Sequence, residues 1–200
     1  FNNSIEIYNP TDNFIDLSDY TVKLISPSDS PVHIRLSGFL LSDEVFVLSN
    51  TSSSSEIASE TDMFNSSLDI HGKNSIELLN ENKAVDKIGS SDQNIEDIDI
   101  SQLQNLSIQR SRLLKQGNPV FITDNFFEEW KVSPNSDLDD LGFHVNACHA
   151  SVLFWENVSA LEPEYNVNEF QLTPIINDLK SSSKLSDNCK IFMTFIGAEY

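Results

Sequence analysis

Turn formers punctuate this chain at short intervals, and the residues between them alternate between apolar and polar. Ile5 and Ile7 fall on one side of a strand, with Glu6 and Tyr8 on the other. Asn9-Pro10-Thr11-Asp12-Asn13 then closes the ladder, because proline has no N–H to donate. Phe14, Ile15 and Leu17 lead through Ser18-Asp19 into Tyr20–Ile25. A second cluster, Ser26-Pro27-Ser28-Asp29-Ser30-Pro31, separates that strand from Val32–Leu36. After Gly38, Leu40-Leu41 and Val45–Leu48 continue the pattern. Ile76–Leu79 and Val85–Ile88 flank Asn80-Glu81-Asn82 and predict a hairpin with a turn of about four residues. Ser107–Arg112 is a late strand. Thr123-Asp124 is placed to cap one helical turn through Phe126–Trp130. Strands recurring every 8–12 residues or so, with few helices, predict an all-β sandwich.

At 200 residues the chain has room for one large β domain or two small ones. Thirteen Phe supply large side chains for a core. The stretches 49–67 and 90–105 are polar and read as surface loops. Composition shifts near residues 146–150, which predicts a first β-sandwich over 1–146 and a second, partial one over 150–200. Ser151–Trp155, Phe170–Ile175 and Ile191–Ile196 are the strand patterns of that second unit. The chain opens on Phe1 directly before a strand and closes directly after one, as expected for a fragment of a longer or processed chain.

Charge narrows the partners. Twelve Lys+Arg stand against 31 Asp+Glu, a formal charge of −19. Such a surface repels phosphate backbones and anionic membranes, so neither nucleic acid nor membrane insertion is expected. No apolar run is long enough to span a bilayer. Solubility explains the charge simply; affinity for divalent cations is the sharper alternative. Cys148 and Cys189 fit no zinc spacing, and either one disulfide or two thiols suits them.

The opening stretch resembles the start of a bacterial lamin-tail domain. The residues that carry the likeness are Ile5-Glu6-Ile7, Tyr8-Asn9-Pro10 and Asp16-Leu17-Ser18-Asp19-Tyr20. Three later segments follow in the same order as in that family. They are the hairpin with Val85-Asp86, the "LSIQR" segment ending at Arg110, and the Trp130 tail with Asp140-Leu141-Gly142 and His144. The likeness covers about residues 1–145. It implies an immunoglobulin-like β-sandwich in a large secreted or cell-surface protein, sometimes beside nuclease or phosphoesterase domains. The family usually begins one strand earlier, so an open edge is expected beside Ile5–Tyr8 unless another segment fills it. Residues from about 150 resemble the beginning of a Calx-beta module, through a Val-Leu-Phe strand, Glu162, Glu164 and the Phe-Ile-Gly-Ala-Glu-Tyr ending. Some modules of that kind bind Ca²⁺.

Candidate sites are few. Asn135, Asp137, Asp139 and Asp140 space oxygen ligands like the first half of an EF-hand loop. Asp140 stands where that loop wants Gly and no Glu follows, so a turn with local Asp–backbone bonds competes with a Ca²⁺ site. Glu162 and Glu164 are weaker metal candidates, and Ca²⁺ is the one cofactor these patterns point to. His144, Cys148 and His149 sit together without the further ligands a metal needs. Glu6, Asp16 and Asp86 are carboxylates of the type used in acid–base catalysis, but solvated strand faces and turn bonds account for Glu6 and Asp16. Arg110, Arg112 and Lys115 form a basic patch suited to pairing with acids or to receiving an anion. No phosphate loop or nucleophile elbow occurs. The expectation is a non-catalytic extracellular module whose partners are other proteins or neighbouring domains. Alternatives are an accessory domain of a secreted nuclease or hydrolase, and a calcium-stabilised adhesin stalk.

Overall fold

The computed structural model describes residues 2–26, 29–70, 75–89, 106–112, 114–121, 126–134, 138, 141–144 and 190–197. The first half runs through β1 (Ser4–Tyr8), β2 (Ile15–Asp16), a 3-10 turn (Leu17–Asp19), β3 (Tyr20–Ile25), β4 (Val32–Arg35), β5 (Phe39–Leu40) and β6 (Val45–Ser49). Next come α1 (Ser55–Ser59), β7 (Met63–Phe64), β8 (Ser75–Asn80) and β9 (Lys83–Ile88). The remaining elements are β10 (Leu106–Arg110), α2 (Phe126–Glu129), β11 (Trp130–Pro134) and β12 (Phe192–Gly197).

One sheet has the order β11-β10-β12-β1-β6-β7, and the facing sheet has the order β4-β3-β8-β9. A two-stranded ribbon, β2-β5, flanks them. Period-two alternation sends Ile5, Ile7, Phe46, Leu48, Ile108 and Met193 from the first sheet into the same core as Val22, Leu24, Ile34, Ile76, Leu78 and Ile88 from the second. Each such side chain contributes about 1.5–3 kcal/mol on burial. The expected all-β sandwich is therefore present.

Three features correct the sequence expectations. The hairpin turn between β8 and β9 has two residues, not four: Glu81 (φ 47°) and Asn82 (φ 67°) both take left-handed backbone, which matches the strand twist. Glu6 and Tyr8 do not face solvent. Their side of the sheet is covered by α1, Leu138 and residues 141–144, where Val47, Ile57 and Leu141 form a second, smaller core.

The third concerns β12. Composition assigns Ile191–Ile196 to a second unit, yet Phe192–Gly197 lies between β1 and β10. Ser4 pairs with Gly197 and Ile7 with Met193 on one side, and Ile108 pairs with Ile196 on the other. The position beside β1, where an open edge was expected, is thus filled from within the chain. The physical reason is that a strand with an apolar face satisfies its own N–H and C=O groups and those of two neighbours in that slot. Residues 151–189, including Trp155 and the other strand patterns of the expected second unit, lie outside the described residues.

Candidate functional site

The most concentrated chemistry among the described residues lies between the two sheets, on Asp86. A β-bulge in β9 sets it there: Leu78 pairs with Asp86 but Leu79 pairs with Ala84, so Val85 is the extra residue. Asp86 then shares the inward face with Ile88 and is fully buried. Arg110 faces it from β10, two residues beyond inward-facing Ile108, and is 1% exposed. The guanidinium donates through Nη2 to Asp86 Oδ1 and through Nε to Oδ2 at 3.4 Å. Its Nη1 donates to Glu129 Oε2 at the end of α2, and its Cζ stands 3.9 Å from the centre of the Trp130 ring.

Backbone N–H groups complete the cluster. Lys87 N and Asn118 N each donate to Asp86 Oδ1 at 2.9 Å, and Met193 N donates to Oδ2 at 3.0 Å. Met193 borders a register shift in the pairing of β1 with β12, and its N–H turns to the carboxylate. Asn118 also donates through Nδ2 to Glu129 Oε1 at 2.8 Å. Gly117 lies against the carboxylate, where a Cβ would stand 2.5 Å from Asp86 Cβ and 2.7 Å from Val85 O. Burial pushes the Asp86 carboxyl above its ordinary range, and Arg110 with the Asn118 and Met193 N–H groups opposes that rise. With both oxygens accepting and no surface exposed, Asp86 ties one sheet to the other.

A second polar cluster covers the outer face of β1. Glu6 is fully buried, and its Oε1 accepts from Gly142 N–H. Gly142 has φ +78°, and a Cβ there would meet Glu60 Oε2 at 3.0 Å. Tyr8 OH donates to Asp43, and the Tyr8 ring packs 4.8 Å from the His144 ring. Burial, then the Asp43 carboxylate, pushes the Tyr8 phenol well above its ordinary value. Burial, then the positive charge of Arg112, lowers His144 to about 3, so its imidazole is neutral. Asn9, in the Tyr-Asn-Pro segment, is also fully buried. Its Nδ2 donates to Asn13 O (2.8 Å), Leu40 O (3.1 Å) and Leu41 O (3.0 Å), and its Oδ1 accepts from Thr11 N (3.0 Å). One side chain thus joins the turn after β1 to the turn after β5.

Of the candidate carboxylates, Asp16 is a turn residue whose oxygen accepts from Ser18 N at 2.9 Å. The Ser18 backbone N–H holds its carboxyl below the usual range. Glu6 and Asp86 are structural buried groups on opposite faces of the six-stranded sheet. The metal candidates Asn135, Asp137, Asp139, Asp140, Glu162 and Glu164 lie outside the described residues, as do His71, His149, Cys148 and Cys189. Among the described residues no group of three or more His, Cys, Asp or Glu is placed to hold a metal ion. None of the described helices is long and apolar enough to cross a membrane.

The basic patch divides. Arg110 turns inward to Asp86, while Arg112 stays exposed. The Asp86–Arg110 partnership, Glu129, Asn118 and Gly117 are what sequence reasoning missed. A signal existed: each charge stands two residues from an inward isoleucine, on the apolar face of its strand. Comparison of the chain with known protein families, curated proteins and solved structures finds no match.

Proposed function

We propose that this chain is a non-catalytic, immunoglobulin-like β-sandwich module of a larger secreted or cell-surface protein, and that it serves as an assembly or adhesion surface. The observation that carries the reading is an exposed apolar tip on the β2-β5 ribbon. Phe14 and Phe39 are each 65% exposed and pack edge to face at 5.9 Å, with Leu41 53% exposed beside them in sequence. Grouped, exposed aromatics of this kind mark contact surfaces, because water leaves them at a gain when a partner arrives. The Asp86 cluster supports the non-catalytic part, since its charges are spent on joining strands. The ordered resemblance to lamin-tail segments supports the extracellular setting.

A photo-crosslinking residue at position 39 of the full-length protein should yield a protein adduct, from a neighbouring domain or a separate partner. Two results count against the reading: no adduct at position 39, or hydrolysis by the purified chain that disappears in a folded Asp86→Asn variant.

A further inference from the structure

The β2-β5 ribbon has an inward and an outward face. Ile15 pairs with Leu40 and Asp16 with Phe39. Leu40 is buried, and Ile15 packs against the main core. Alternation then puts Phe14, Asp16, Phe39 and Leu41 together on the outward face. Carboxylates accompany the apolar side chains there. Asp16 is exposed, and the Ser18 N–H that it accepts keeps it ionised. Glu44, also exposed, accepts from Leu41 N at 3.2 Å. Neither carboxylate is in an ion pair with a described Lys or Arg; those pairs use Glu77, Asp86 and Glu129. The tip is also held in place. Buried Asn9 donates to the Leu40 and Leu41 carbonyls, and Leu17 N donates to Gly38 O at 2.9 Å. A surface fixed before a partner arrives loses less entropy on binding.

We propose that this face docks a basic protein partner, through a segment that presents Arg or Lys beside an aromatic or aliphatic side chain. The proposal rests on the assembly reading above and names the chemistry of the partner. The segment's apolar side chain packs against Phe14, Phe39 and Leu41. Its cation is attracted by the ring faces and by the Asp16 and Glu44 carboxylates. Charge complementarity selects this occupant over the others. A second copy of the chain brings another −19 to the contact, and like charges oppose association. An anionic bilayer is repelled on the same ground.

The test places 4-fluorophenylalanine at position 39 of the chain and follows its fluorine resonance by NMR. The probes are the peptides Arg-Phe-Arg-Phe, Glu-Phe-Glu-Phe and Arg-Gly-Arg-Gly, vesicles of phosphatidylcholine, and the chain itself at rising concentration. Arg-Phe-Arg-Phe should shift the resonance and bind roughly tenfold or more tightly than either other peptide. Asp16→Asn and Glu44→Gln, both at exposed positions, should each weaken that binding roughly two- to fivefold, and added salt should weaken it too. A resonance that stays fixed up to roughly 10 mM Arg-Phe-Arg-Phe would overturn the proposal. Wild-type affinity in the Asp16→Asn, Glu44→Gln double variant would do the same. Equal affinity for Glu-Phe-Glu-Phe removes the basic character of the partner, and equal affinity for Arg-Gly-Arg-Gly removes its apolar anchor. A shift produced by vesicles or by self-association, but not by Arg-Phe-Arg-Phe, assigns the face to a different occupant. In each of these failures an adduct at position 39 still upholds the assembly reading, whereas absence of any adduct removes both.

Discussion

Replacing Asp86 with Asn should remove a large share of this protein's stability. The substitution keeps the shape of the side chain and deletes its charge. Five N–H donors converge on the carboxylate: the amides of Lys87, Asn118 and Met193, and Nε and Nη2 of Arg110. An amide offers one acceptor oxygen, and its NH₂ would face donors where the second oxygen stood. Arg110, 1% exposed, would keep only Glu129 as a counter-charge among the described residues. Removing one partner of a buried pair costs about 3–5 kcal/mol, because the other charge stays buried and undercompensated. Against a total of about 5–15 kcal/mol, that is roughly a fifth of the stability at the least. For a chain of this length it corresponds to a fall in Tm on the order of 10 °C. Urea unfolding followed by circular dichroism measures it directly. Arg110→Met should be similarly damaging alone. The double variant should be less damaged than the sum by at least about 1 kcal/mol, since neither charge is then stranded. An Asp86→Asn loss below about 1 kcal/mol, with strictly additive single effects, refutes the reasoning that this pair ties the sheets together.

Gly117→Ala should destabilise by about 1–3 kcal/mol, because its Cβ would overlap Asp86 and the Val85 carbonyl; a melting temperature equal to wild type argues against the close approach. His144 is neutral when folded, with its pKa lowered to about 3 from 6.5. Its contribution is therefore complete above pH 6.5 and is lost as pH falls from there toward 3. Between pH 6.5 and 5 the expected loss is about 2 kcal/mol, visible in urea midpoints and reduced in His144→Phe, which keeps a ring against Tyr8. Asn82→Gly should raise stability by about 0.5–1 kcal/mol, since the backbone there is left-handed at φ 67°; an unchanged urea midpoint would count against that turn geometry.

Local chemistry determined much of this protein in advance. Alternation is a property of neighbouring residues, so β1, β3, β8 and β9 are readable from apolar spacing alone. Turn chemistry is local too: Asn9-Pro10 and Asp16-Leu17-Ser18 bend the chain where their side chains reach nearby N–H and C=O groups. The division of each strand into two faces follows from the same period of two.

What covers each face was decided elsewhere. Glu6 reads as part of a solvated strand face because nothing near it in sequence buries it; Gly142 and His144 cover that face, and Tyr8 with it, from more than 130 positions away. In sequence, Asp86 is one of several carboxylates of a catalytic type and Arg110 one member of a basic patch; the bulge in β9 and the approach of β10 placed them face to face across the core. The partner of β1 was equally invisible. Hydrogen-bonding N–H and C=O groups are the same on every strand, so only burial and register in the assembled sheets could select Phe192–Gly197 to lie beside Ser4–Tyr8.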